Sequence, residues 1–351
     1  MSAFSGRERT GLAIVAIAFV AAAVTHGMDG LVPFFTSLVA LAGVAWLVSF
    51  ATDLLGEHFG PAVTGFLQSS LGNMPELFVV IAALSAGETE IALTSLIGSV
   101  LANALLMLGI AIIVGARVSE DGMMRFSARL PNDTATLLQV AVFGIVLVGL
   151  VESAQTRAAE HVTTISSIAS VCLLLVYLAW AVPYLKSDTR PGESAHGGPR
   201  VSLGVCIAML AVAAALAAFV SEWFISALTP AIEDLNISKA FAGLVIVAIA
   251  GNAAENVTGI IAAARGQADL AISVIKNSVA QVAALLFPLL VLISLGFDQH
   301  LTFQMPSIYV GGLALGGLAV WQITGDGEAA AYEGVALVAL FVILGAFALY
   351  S

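Results

Sequence analysis

Apolar stretches about 20 residues long follow one another along almost the whole chain, separated by short polar turns. That is the length an α-helix needs to cross the hydrocarbon core of a bilayer. Of the 351 residues, 60% are hydrophobic and 10% are charged, whereas soluble domains carry roughly a quarter charged residues. There is too little polar surface here to cover a globule in water. Lipid admits only helices or closed barrels, and barrel strands would read as short alternating segments. The fold class expected is an all-α polytopic membrane protein.

Turn residues and charges place about eleven spans, near 11–25, 31–51, 61–86, 90–115, 134–151, 163–184, 201–228, 240–264, 269–296, 302–321 and 332–350. The opening "MSAFSGRERT" before "GLAIVAIAFVAAAV" has the basic start and apolar core of a signal peptide. It lacks a clean cleavage site before a soluble domain, so an uncleaved first span is expected. The longest polar connection, "KSDTRPGESAHGGPR" at Lys186–Arg200, reads as a flexible linker. Arg7, Arg9, Arg117, Arg125, Arg129, Lys186, Arg190, Arg200 and Arg265 fall on the N-terminal side of the membrane, and only Arg157 and Lys239 on the other. The positive-inside rule then puts the N-terminus and the linker in the cytoplasm and the C-terminus outside. Short loops suggest a prokaryotic plasma membrane.

The formal net charge of −11 comes from acids in short loops and inside spans, where it serves at most to attract ions. No basic cluster points to nucleic acid, and no signal fixes an oligomeric state. Cys172 and Cys206 lie in apolar runs and are expected as small buried core residues, not a disulfide.

Inside the apolar sequence one pattern occurs twice. "GNMPELFVVIAALSAGETEIALTSLIGSVLAN" runs from Gly72 to Asn103, and "GNAAENVTGIIAAARGQADLAISVIKNSVAQ" from Gly251 to Gln281. Each has Gly-Asn-x-x-Glu on one span, a polar turn, and an amide on the next span. Upstream, "LVSFATDLL" at Leu47–Leu55 echoes "FVSEWFISAL" at Phe219–Leu228. The chain divides into a first span (1–30), a five-span repeat (31–185), the linker (186–200) and a second five-span repeat (201–351). An odd number of crossings per unit inserts the two repeats upside down relative to each other. Such repeats, with polar residues at matched mid-span positions, point to a secondary transporter. A duplication kept for packing would account for the small residues but not for two mid-membrane acids.

Glu76 and Glu255 sit near mid-span, where an ionised carboxylate is costly unless neutralised. Asn73 and Asn252 precede them by three residues and share their helical faces. Pro75, Gly72 and Gly251 weaken the helix there and free carbonyl oxygens. On the following spans Ser99 and Asn103, and Asn277, Ser278 and Gln281, form polar stripes. Carboxylate, amide, hydroxyl and carbonyl oxygens suit a hard cation such as Ca²⁺, without the His and Cys of a softer metal site. A divalent cation and two protons can compete for the same acids, which is the minimum requirement for antiport. No cofactor is expected; Ca²⁺ and H⁺ enter as transported substrates, and the bilayer is the surrounding partner. A Na⁺ or K⁺ exchanger of the same build and a passive cation channel remain alternatives. An intramembrane enzyme does not, because neither paired acids nor a His-Glu-x-x-His helix is present.

These segments, "GNMPE…GSVLAN" and "GNAAE…NSVAQ", resemble the two α-repeats of the cation/Ca²⁺ exchanger superfamily, specifically its Ca²⁺/H⁺ antiporter branch. The resemblance covers nearly the whole chain. It implies Ca²⁺ movement driven by a proton gradient, with Glu76 and Glu255 as shared ligands of Ca²⁺ and H⁺. It also implies that Asn103 and Gln281 are the family's amides and Ser99 and Ser278 its motif serines. Two departures stand out. Asn277 takes the place of a customary glycine, with Lys276 before it, and the linker carries only Asp188 and Glu193 where the family often has an acidic helix.

Lys276 points off the polar stripe of its helix. It either snorkels or pairs with an acid such as Glu222, or its ammonium biases a cation site. Glu222 itself either lines the ion path or pairs. Asp53, Glu57, Glu88 and Glu90 read as solvated loop acids, and "TGDGE" at Thr324–Glu328 as an extracellular-side turn.

Overall fold

The computed structural model describes residues 4–59, 61–127, 129–151, 157–186 and 199–351. Positions 187–198, most of the linker expected at Lys186–Arg200, lie outside them. The helices are α1 (Gly6–Thr25), α2 (Val32–Gly56), α3 (Pro61–Gly72), α4 (Met74–Ser85), α5 (Thr89–Val118), α6 (Arg129–Gly149), α7 (Val162–Lys186) and α8 (Leu203–Leu235). They continue with α9 (Lys239–Gly251), α10 (Ala253–Ala264), α11 (Ala268–Ser294), α12 (Ser307–Thr324) and α13 (Ala331–Leu349). Among the described residues, eight helices are long and apolar enough to cross a membrane, and the pair α9 and α10, bent by 64° at its break, adds a ninth when counted as one span. The shorter apolar helices Ser70–Ser85 and Ala135–Gly149 occupy the remaining two expected positions, so the arrangement is compatible with eleven crossings.

Contacts group the chain into two units that cut across the sequence repeats. One comprises residues 1–86, 179–237 and 250–254; the other comprises 87–178, 238–249 and 255–351.

The first unit is built on α1, α2, α4 and α8. Ser5 caps α1, its hydroxyl accepting from the Glu8 N–H while the Glu8 carboxylate accepts from the Ser5 N–H, a reciprocal arrangement that satisfies two donors of the first turn. Pro33 enters the first turn of α2, where its missing N–H costs nothing. Helices α2 and α8 pack along each other, with Phe34 stacked on Phe224 at 6.0 Å between ring centres. At one end Phe50, Leu54, Leu55 and Cys206 form an apolar cluster. Above it, the Arg200 guanidinium reaches Glu57 at 2.6 Å and Glu8 at 2.7 Å, and its hydrogen bonds to Glu8 and then Glu57 hold it protonated above its ordinary value, against the opposing effect of burial. His58 Nε2 lies 2.9 Å from the Val201 carbonyl. Helix α8 ends at Asn236, which adopts the left-handed conformation (φ 52°) that asparagine tolerates.

The second unit is built on α5, α6, α9 and α11 to α13 with most of α7. Helices α5 and α9 cross backbone to backbone: a Cβ on Gly98 would collide with the Leu244 carbonyl, and one on Gly243 with the Thr94 side chain. Three π-helical segments interrupt the spans, Ala102–Met107 within α5, Ala242–Val247 within α9 and Val282–Leu286 within α11. Two short strands, β1 (Met123–Arg125) and β2 (Glu328–Ala330), pair antiparallel with Met124 opposite Ala329. Lys239 pairs with Glu88 at 2.6 Å, and the Ser127 N–H donates to Asp269 at 2.5 Å.

With eleven crossings, every one of these loop contacts joins connections on the same side: 57 with 200, 88 with 239, 125 with 328. The β pairing also places the "TGDGE" turn beside Arg125, on the arginine-rich side, and not on the opposite side as expected. Glu57 and Glu88 were expected as solvated acids; each instead neutralises a cation across loops. Cys206 is buried as expected, but Cys172 faces outward from α7, and both are free thiols. An outward cysteine costs little where the surroundings are lipid.

Candidate functional site

The first Gly-Asn-x-x-Glu segment falls at the break between α3 and α4. Asn73 (φ −80°, ψ 2°) is the break residue, and Pro75 sits in the first turn of α4. Proline has no N–H, so the Leu71 carbonyl four residues back loses its helical donor. Glu76 follows in that first turn and is 2% exposed. The second segment falls at the 64° break between α9 and α10. Asn252 is buried at the break, and Glu255 stands in the first turn of α10. The break lacks a proline; the π-helical Ala242–Val247 precedes it and Gly251 closes α9. Each acid therefore sits at a helix N-terminus, where the partial positive charge of the free N–H groups favours an anion.

Within the first unit the two motifs meet. A Cβ added to Gly251 would stand 3.7 Å from the Glu76 Cβ, so Glu76 packs against a bare stretch of backbone in the second motif. Within the second unit a polar group gathers from three helices. Asn103, in the π-helical part of α5, donates from Nδ2 to Ser278 Oγ of α11 at 3.1 Å. Ser278, whose hydroxyl accepts from Asn103 and keeps its own O–H to donate, lies beside the Glu255 carboxyl, and both Glu255 oxygens are buried. Asn103 Oδ1 is likewise buried. Buried carboxyl and amide oxygens such as these are acceptors that a cation or a proton satisfies. Ser99 and Gln281 are buried; Gln281 closes the α-helical part of α11 just before its π-helical segment.

Other expected residues lie elsewhere. Asn277 turns along its own helix, its Nδ2 3.5 Å from Ser273 Oγ. Glu222 is exposed on α8 and makes no ion pair among the described residues. Lys276 neither snorkels to water nor meets Glu222: it is 4% exposed, and its Nζ donates to Thr324 Oγ1 at 2.7 Å. The reason is geometric. Side chains tilt toward the N-terminus of their helix, which carries the Lys276 stem to the last residue of α12 before it can reach solvent. Thr324 was missed because it stands in a stretch that reads as a turn; a hydroxyl just before the helix-ending Gly325 was the available signal. The π-helical segments carry no residue signature that periodicity detects.

Buried acids and amides at the breaks of spans, on a frame of many crossing helices, define a polytopic membrane protein of the secondary-transporter class. The chain belongs to the sodium/calcium exchanger protein family, whose profile matches residues 29–183 and 205–350. It is 34% identical over 323 residues to a vacuolar calcium ion transporter of Schizosaccharomyces pombe, a match spanning 89% of this chain and 77% of that protein. It is 29% identical to the Ca(2+)/H(+) antiporter ChaA of Bacillus subtilis, over 89% of this chain and 90% of the other. A solved structure of native YfkE superposes with a TM-score of 0.82 at 26% identity, covering 97% of this chain and all of that one.

Proposed function

We propose that the chain is a secondary active antiporter exchanging Ca²⁺ for H⁺ by alternating access of its inverted repeats, 31–185 and 201–351. Glu76 and Glu255 act as ligands shared by the cation and the protons, with Asn73, Asn252, Asn103, Gln281, Ser99 and Ser278 as further oxygen donors. The observation that carries this reading is the twofold placement of a glutamate with buried carboxyl oxygen in the first turn after a helix break. A carboxylate held away from water is neutralised by a cation or a proton, so releasing one favours taking up the other. The family membership and the relatives named as Ca²⁺ transporters and Ca²⁺/H⁺ antiporters support the same ion pair.

The membrane is the plasma membrane of a prokaryote, with the N-terminus cytoplasmic and the C-terminus outside. The arginine asymmetry and the similarity to a bacterial antiporter support this.

The test is Ca²⁺ uptake into sealed vesicles containing the purified chain, driven by an imposed pH gradient. Wild type takes up Ca²⁺, and Glu76→Gln and Glu255→Gln do not. Uptake that follows voltage and ignores the pH gradient identifies a channel. Movement of Na⁺ or K⁺ in place of Ca²⁺ identifies a monovalent exchanger.

A further inference from the structure

Lys276 takes no part in the exchange described above, yet it is a charged group held deep in the second unit. Its side chain borders a small cavity whose other walls are Ala104, Leu108, Leu138, Val279 and Val320, all apolar. Its partner is the Thr324 hydroxyl, which itself donates to the Val320 carbonyl at 2.7 Å. Thr324 therefore can only accept from Nζ, and the lysine is the donor. Thr324 ends α12, where the last carbonyls lack intrahelical donors and carry partial negative charge. One hydroxyl, at a helix C-terminus, accepts from this ammonium; no carboxylate pairs with it among the described residues. Lys239 shows the contrast: its charge is cancelled by Glu88 at 2.6 Å. An unpaired charge in a low-dielectric interior acts on its neighbours over many ångströms.

Those neighbours are the candidate ligands. Lys276 precedes Ser278 by two residues, about 3 Å along the helix axis and about 200° around it, so its charge acts through the helix on Ser278, which both accepts from Asn103 and lies beside Glu255. Ala104, in the wall of the lysine's cavity, is the residue after Asn103. We propose that Lys276 is a specificity-determining residue, a tethered positive charge that weakens the binding of divalent cations at the Glu255 carboxyl more than that of monovalent ones. Coulomb energy scales with ionic charge, so the same field acts twice as strongly on Ca²⁺ as on K⁺. The affinity factor for Ca²⁺ is then the square of the factor for K⁺. This inference rests on Glu255 being a cation ligand, but not on protons being the exchanged ion.

The experiment is equilibrium binding of radioactive Ca²⁺ to the purified full chain in detergent, with K⁺ as competitor. Lys276→Gln keeps a hydrogen bond to Thr324 and removes the charge. Lys276→Arg keeps the charge. Thr324→Glu leaves the lysine in place and cancels its field, which gives a second reading if the glutamine variant does not fold. Lys276→Gln and Thr324→Glu are expected to tighten Ca²⁺ about tenfold and K⁺ about threefold, with Lys276→Arg near wild type. A purely structural lysine would not produce the square relation, nor would it spare the arginine variant. Unchanged Ca²⁺ affinity in both charge-cancelling variants overturns the proposal, as does a shift in Lys276→Arg equal to that in Lys276→Gln. Absence of Ca²⁺ binding to wild type overturns it too. Shifted binding without pH-driven flux in vesicles sustains the lysine's role and removes the antiport reading.

Discussion

The two Gly-Asn-x-x-Glu breaks reach the same local result by different means. At the first, Pro75 forbids continuation of α3 and opens α4. At the second no proline is present; a π-helical segment loosens α9, Gly251 ends it, and the chain turns by 64°. Both leave an asparagine at the break and a glutamate in the next first turn. What the two copies share is thus the position of an acid against a helix N-terminus, and the means of breaking the helix is free to vary. The second break is also held from outside, because α9 crosses α5 where only glycines fit, at Gly98 and Gly243.

If the two acids are equivalent, Glu76→Gln and Glu255→Gln each abolish pH-driven Ca²⁺ uptake, because each removes a ligand charge from a hard-cation site. Full activity in one of them would break the equivalence. Next in size is Gly98→Ala. The added methyl meets the Leu244 carbonyl, and overpacking of that kind costs about 1–3 kcal/mol, read as a lowered melting temperature in detergent. An unchanged melt would show that the second break is not held at this crossing.

Pro75→Ala restores an N–H to the first break and lets the helix heal, so uptake falls several-fold while thermal stability holds or rises. The second break has no proline to remove, and that variant therefore separates the two mechanisms. Glu88→Gln leaves Lys239 unpaired at a partly exposed site and costs about 0.2–1 kcal/mol, with no effect on which ion is carried. Smallest is the pH response of Asp121. The Arg125 guanidinium, bonded to this exposed carboxylate, holds it below the usual carboxylate range. Its link is intact above that range and is lost as pH falls through the lowered value, with Asp121→Asn abolishing the response. Neither break should feel that change.

Much of the frame was legible because hydrophobic length is a one-dimensional signal: the apolar runs gave the spans, and Pro75, Gly72 and Gly251 marked where they break. The acids and amides stood out because polar residues in apolar runs are costly. Pairings were not legible. Asn103 meets Ser278 only because two helices from different repeats adopt a particular register, shifted by π-helical segments that no residue type announces. Lys276 was visible as an anomaly, but its partner was hidden in a turn, since Thr324 gains meaning only from the tilt of the lysine stem toward it. Cys172 misled for a related reason: in lipid an outward face is as apolar as the core, so hydrophobicity alone does not say which way a side chain points.

The central claim is that the same carboxylates hold the cation and the protons in turn. Its most direct test is the number of protons released when Ca²⁺ is added to the purified protein in weakly buffered detergent solution. Wild type should release protons as Ca²⁺ binds, and a protein carrying both Glu76→Gln and Glu255→Gln should release none. Saturable Ca²⁺ binding with no proton release, or release undiminished in the double variant, would contradict it.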